Sequence, residues 1–111
     1  MNSRRKGKGG ELELAAILRE HGYDARRGQQ YRGGGDSPDV TGLPGVHIEC
    51  KRVERLDLDA AFEQATRDAA PGEVPAVFHR RNGKPWKVTV SLEDFLRLYE
   101  GGQEDAGMDH H

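Results

Sequence analysis

The sequence predicts an α+β domain built on a small mixed sheet flanked by helices, and three observations predict it. Apolar residues recur at the i, i+3, i+4 spacing of a helix near the N-terminus, in the middle of the chain and near its C-terminus. Between these segments lie short strand-like runs in which apolar and polar residues alternate. Turn signals at Gly42-Leu43-Pro44-Gly45, Pro71-Gly72 and Asn82-Gly83 separate the runs.

Taken in order, residues 1–10 are polar, basic and glycine-rich, and read as a mobile arm. Glu11 to His21 reads as a helix ended by Gly22, a favourable residue just past a helix end. Leu14, Ala15 and Leu18 share one face of it; Glu11 falls on that face and Glu13 points away. Tyr23 to Arg27 forms a first strand, and Gln29 to Ser37, with Gly33-Gly34-Gly35, a loop. Pro38 to Thr41 and Val46 to Val53 pair as a hairpin. Asp57 caps a helix from Leu58 to about Ala70 whose buried stripe is Leu58, Ala61, Phe62, Ala65 and Ala69. Pro75 to His79 and Trp86 to Val90 form two further strands joined at Asn82-Gly83. Ser91 caps a last helix, through the Ser91-x-x-Asp94 spacing, with Leu92, Phe95, Leu96 and Tyr99 as its buried face. Residues 101–111 read as a disordered acidic tail or an expression remnant, the latter suggested by His110-His111. Residues 1–100 therefore make a single domain.

A chain of 111 residues supports one core, and a lean one, since charged residues (32%) nearly equal apolar ones (34%). No apolar run reaches the length of a membrane span, and no signal-peptide pattern opens the chain. Cys50 is the single cysteine, so no internal disulfide forms, which fits a reducing cytoplasm, bacterial or that of a phage-infected host. The net charge of −2 excludes a uniformly basic nucleic-acid binder. Its distribution is uneven, however. Arg4, Arg5, Lys6 and Lys8 make one basic run, Arg80, Arg81, Lys84 and Lys87 another, and the chain from Glu93 onward is acidic. Local basic patches in a near-neutral chain suit a site-restricted phosphate binder.

The hairpin carries the chemistry. With Leu43, Pro44 and Gly45 as a three-residue loop, Gly42 pairs with Val46, Thr41 with His47, Val40 with Ile48 and Asp39 with Glu49. Lys51 returns to the face of Glu49, while Val46, Ile48 and Cys50 turn to the other side. Two carboxylates facing each other destabilise a hairpin unless a cation lies between them. An Asp–Glu pair beside a lysine suits metal-assisted phosphodiester hydrolysis. Mg²⁺, with Mn²⁺ as the expected substitute, takes oxygen ligands: Asp39, Glu49 and the main-chain carbonyl of Cys50. Lys51 would orient the attacking water or neutralise charge on the phosphate oxygens.

Pro38-Asp39 and Glu49-Cys50-Lys51 resemble the two half-motifs of the PD-(D/E)XK nuclease superfamily. The wider pattern is similar to archaeal-type Holliday junction resolvases and to small phage endonucleases. The resemblance covers about Glu11 to Phe78 and implies a restriction-endonuclease-like αβββαβ core. It also implies a Mg²⁺-dependent DNA endonuclease, commonly a homodimer, in which Glu11 joins Asp39, Glu49 and Lys51 as catalytic and metal-binding residues and Gln64 matches a recurring glutamine.

Arg32, Lys8, Arg80, Arg81 and Lys84 are the further candidates for contact with the DNA backbone, beside Arg26 and Arg27. Such contacts position DNA without reading its sequence. Trp86 reads as core. Asp36 is the fallback ligand should the register differ. No base-reading motif is present, so a structure-selective enzyme acting on branched DNA, such as a four-way junction, is the expected function. The alternatives are a nuclease of the same superfamily acting on flaps, nicks or replication intermediates, and a non-cleaving DNA-binding module that keeps the fold.

Overall fold

The computed structural model describes residues 3–28 and 37–108. Arg32, Gly33-Gly34-Gly35, Asp36 and His110-His111, singled out above, lie outside the described residues. The elements run α1 (Ser3–Glu20), β1 (Arg26–Arg27), β2 (Val40–Thr41), β3 (Val46–Arg52), α2 (Leu58–Asp68), β4 (Val74–Arg80), β5 (Lys87–Thr89) and α3 (Leu92–Met108). The strands form one sheet in the order β1-β2-β3-β4-β5, parallel between β3 and β4 and antiparallel elsewhere. This is the predicted α+β architecture, a mixed sheet consistent with a restriction-endonuclease-like core. Among the described residues no helix is long and apolar enough to cross a membrane.

Alternation along β3 assigns the two faces of the sheet. Ile48 and Cys50 are buried with Leu14 and Ala15 of α1, Val40 of β2, and Ala76 and Phe78 of β4. His47, Glu49 and Lys51 face the other way, toward the side covered by α2 through Ala61 and Ala65, which pack on Val77. Asp57 caps α2 as predicted, its carboxylate accepting from the Ala60 amide at 3.1 Å. Asn82 and Gly83 occupy the middle of a turn closed by the Lys84 amide on the Arg81 carbonyl at 3.1 Å.

The central hairpin depends on tight turn chemistry. The Val46 amide donates to the Leu43 carbonyl at 3.0 Å. Pro44 and Gly45 sit between them, and Gly45 takes φ +84°, the signature of a type II turn. The predicted pairing of Val40 with Ile48 is present. Gly28 lets β1 approach β2 closely: a Cβ there would lie 1.9 Å from the Pro38 carbonyl oxygen.

Four expectations are corrected. α1 begins at Ser3 rather than at Glu11, so the glycine-rich opening is helical and not a loose arm. Gly10 is there for close packing, since a Cβ would come within 2.8 Å of the Arg52 Cβ. Glu13 does not point away from the sheet. It pairs with Arg52 at 2.9 Å and with Arg80, and accepts from the Trp86 indole at 3.1 Å. α3 continues through Gly101-Gly102 to Met108, because each glycine costs only about 1 kcal/mol relative to alanine and does not break a helix as proline does. Its stripe is not buried: Leu92, Phe95, Leu96 and Tyr99 are exposed. α1 and α2 already cover the sheet's two faces, and α3 follows the edge strand with no face left to join.

Gly28→Ala is expected to lower the unfolding free energy by about 3 kcal/mol, because the added methyl meets backbone that cannot yield. Gly45→Ala, where a Cβ meets nothing within 4 Å, should cost only about 1–2 kcal/mol through its positive φ. Urea denaturation of the two variants checks this; equal losses would contradict it.

Candidate active site

Asp39 is held at the point where the β2–β3 ladder ends. Its amide donates to the Ile48 carbonyl at 2.9 Å and its carbonyl accepts from the Gly28 amide at 2.8 Å. The carboxylate then turns to β3 and accepts from the Cys50 amide at 2.8 Å. Asp39 is therefore not a further rung opposite Glu49, as simple hairpin counting has it. Its side chain instead takes the place of a strand carbonyl as acceptor for the Cys50 amide, while Pro38, just before it, has no N–H to donate and so cannot extend the ladder.

The same bond orients Cys50. In a strand the N–H and C=O of one residue project to the same side. The Cys50 carbonyl therefore faces the side of Asp39, while its thiol is packed in the core below α1. Burial pushes that thiol up to about 12, with Asp39 adding to the rise, so it stays protonated.

Glu49 is buried, with its side chain only 4% exposed, and Lys51 Nζ lies 3.7 Å from its Oε2. Lys51 also lines a hollow with Asp57, Ala60 and Gln64, which brings the predicted glutamine of α2 beside the lysine. Glu11 reaches the same region from α1, where Asp39 and Lys51 both act on its charge. Its direct partner is Arg27, at 2.6 Å.

The predicted DNA-contacting residues divide. Arg81, Lys84 and Lys87 are exposed and line a pocket with His79 and Arg80 beside the end of β3. Arg80 is held from within, by Glu13 and by the Lys84 carbonyl at 2.8 Å. Lys8 is exposed on α1, three positions before Glu11. Arg32 lies outside the described residues.

The model of the family described as archaeal Holliday junction resolvase (hjc) matches residues 2–94, most of the chain and all of the elements that build this site. The chain belongs to the archaeal Holliday junction resolvase family. Comparisons with curated proteins and with solved structures give no significant match. Membership of the resolvase family implies a nuclease, that is, a hydrolase of phosphodiester bonds.

In this chain the acids are under-neutralised. Burial pushes the Glu49 carboxyl up to about 7, Asp39 adds to the rise, and Lys51 offsets part of it. Burial likewise raises Asp39, against its bond from the Cys50 amide, and Glu11, against Arg27. Carboxylates held in this way fit a divalent cation, which would supply the charge that Lys51 alone does not.

Sequence reasoning missed two residues here. His47 is 1% exposed on the Glu49 face of β3, and Asp68 of α2 joins it. One ligand atom each from His47, Glu49 and Asp68 lie within 4.8 Å of one another. The alternation of His47, Glu49 and Lys51 was a signal for the first. For Asp68 the only signal was its place one helical turn beyond Gln64.

A carboxyl with a raised folded pKa favours the fold while protonated. Its contribution is complete below the ordinary value of 4.5 and is lost as pH rises through about 7. Metal-free protein should therefore lose up to roughly 3 kcal/mol of stability over that rise. Glu49→Gln should flatten the loss. Urea unfolding in EDTA across this pH range measures it, and an equal slope in both proteins would refute the assignment.

Proposed function

We propose that the protein is a divalent-metal-dependent DNA endonuclease that cleaves four-way junctions. The observation that carries this reading is the Asp39 carboxylate anchored on the Cys50 amide beside the buried Glu49–Lys51 pair, in a chain of the resolvase family. Asp39, Glu49 and the Cys50 carbonyl would hold Mg²⁺, or Mn²⁺ in its place. When bound, that ion lowers the pKa of a water and polarises the phosphate.

The chain's own residues do the rest. Lys51, held by Glu49 yet one-third exposed, places an ammonium where charge develops on the phosphate oxygens. Gln64, across the same hollow, can position the scissile phosphate by hydrogen bonding. Glu11 adds a carboxylate from α1 once a cation competes with Arg27 for it. Arg81, Lys84 and Lys87 offer backbone contacts on one flank, with Lys8 on α1. These contacts carry no base readout, which suits selection by DNA shape.

A junction presents two equivalent strands, so a two-fold dimer would place two sites on it. The exposed face of α3, with Leu92, Phe95, Leu96, Leu98 and Tyr99, is the surface that we assign to a second copy of the chain.

With labelled four-way junction and Mg²⁺, the wild type should cleave, EDTA should abolish cleavage, and Asp39→Asn and Lys51→Ala should each cut slower by about 10²-fold or more. Cleavage of flaps or nicked duplex in preference to the junction would move the substrate. Binding without cleavage under any metal would make the protein a DNA-binding module. In light scattering, Phe95→Asp should halve the particle mass of the wild type; a wild-type monomer would remove the dimer.

A further inference from the structure

Glu49 faces two ways. Toward Lys51 and Asp39 it belongs to the proposed nuclease centre. Toward α2 it meets His47 and Asp68, with one ligand atom from each of the three residues within 4.8 Å of the others. Neither Asp39 nor Glu11 is part of that group.

His47 is the observation that asks for a ligand. Its side chain is 1% exposed, and its Nδ1 lies 3.7 Å from a Glu73 oxygen. The other ring nitrogen, Nε2, is buried with no hydrogen-bond partner. A buried polar nitrogen left unpaired is costly, and few native groups are left so without a reason. Asp68 forms no ion pair among the described residues. Two carboxylates and an imidazole thus converge with no Lys or Arg assigned to the second carboxylate.

We propose that His47, Glu49 and Asp68 form a second divalent-cation site, distinct from the Asp39 site and sharing Glu49 with it. The donor set names the metal class. Imidazole nitrogen suits Zn²⁺ and the later transition metals, with Mn²⁺ a weaker but spectroscopically visible occupant, whereas Mg²⁺ favours oxygen ligands and retains its waters. The site is therefore selective for a transition metal. Because one carboxylate serves both sites, an ion held beside α2 draws on Glu49 and changes how firmly the first ion is held. The inference rests on the proposed function only for the role of the first site, in which His47 and Asp68 are given no part, although both act on the charge of Asp39.

Mn²⁺ binding to the full chain tests the assignment by electron paramagnetic resonance. The wild type should bind two Mn²⁺ per chain, Asp68→Asn one, and Asp39→Asn one. Pulsed measurement should detect ¹⁴N coupling from an imidazole in the wild type and in Asp39→Asn. His47→Gln should lose that coupling. Asp68→Asn, on the half-buried surface of α2, serves should His47→Gln fail to fold, and its affinity for the second ion should fall by at least tenfold. A single Mn²⁺ per chain, unchanged in Asp68→Asn, or no ¹⁴N coupling in the wild type, would overturn the site. Mg²⁺-dependent cleavage surviving in that case would leave the nuclease reading intact. Nitrogen coupling in a protein that cleaves no DNA would uphold the second site and defeat the nuclease reading instead.

Discussion

The hydrogen bond from the Cys50 amide to the Asp39 carboxylate, at 2.8 Å, joins the fold to its chemistry. It gives the Cys50 amide an acceptor beyond the last ladder pair, so the sheet ends there without an orphaned amide. Bonds to an ionised acceptor are stronger than neutral ones, and this one fixes the acid while turning the Cys50 carbonyl to the same side. The close approach of Gly28 and the turn at Pro44-Gly45 serve the same placement. Moving any of them would move the carboxylate relative to Glu49.

Two groups of charge in the molecule are treated in opposite ways. Glu13 is matched by Arg52, Arg80 and the Trp86 indole, and ties α1 to the far strands of the sheet. Such a charge-matched network suits a structural role. The acids under α2 are not matched: Glu49 has Lys51 alone, and burial with Asp39 raises its pKa to about 7. Unmatched buried charge destabilises a fold, and groups perturbed in this way cluster at functional sites.

The sheet's occupancy also decides where the surfaces lie. α1 takes one face and α2 the other, which leaves α3 beyond the edge strand with its apolar side open. The lean core expected from composition is real, and part of the apolar complement of the chain is spent outside it.

By itself the sequence determined the element order, the mixed sheet, the Val40–Ile48 register and the placing of Glu49 and Lys51 on one face of β3. Each of these depends on local periodicity or turn chemistry, and the Gly42-Leu43-Pro44-Gly45 turn brings two neighbouring segments together without long-range information. The start of α1 at Ser3 was hidden because Gly10 reads as a loop residue until Arg52 is seen against it. The exposure of α3 was hidden because periodicity marks an apolar face without saying what covers it. Only the tertiary structure decided that Asp39 bonds to a strand amide instead of facing Glu49, that Arg27 holds Glu11, and that Asp68 and His47 meet beside Glu49. The first departs from the regular ladder of the hairpin, and the others join separate elements whose geometry is set by how the helices seat on the sheet, which no local pattern encodes.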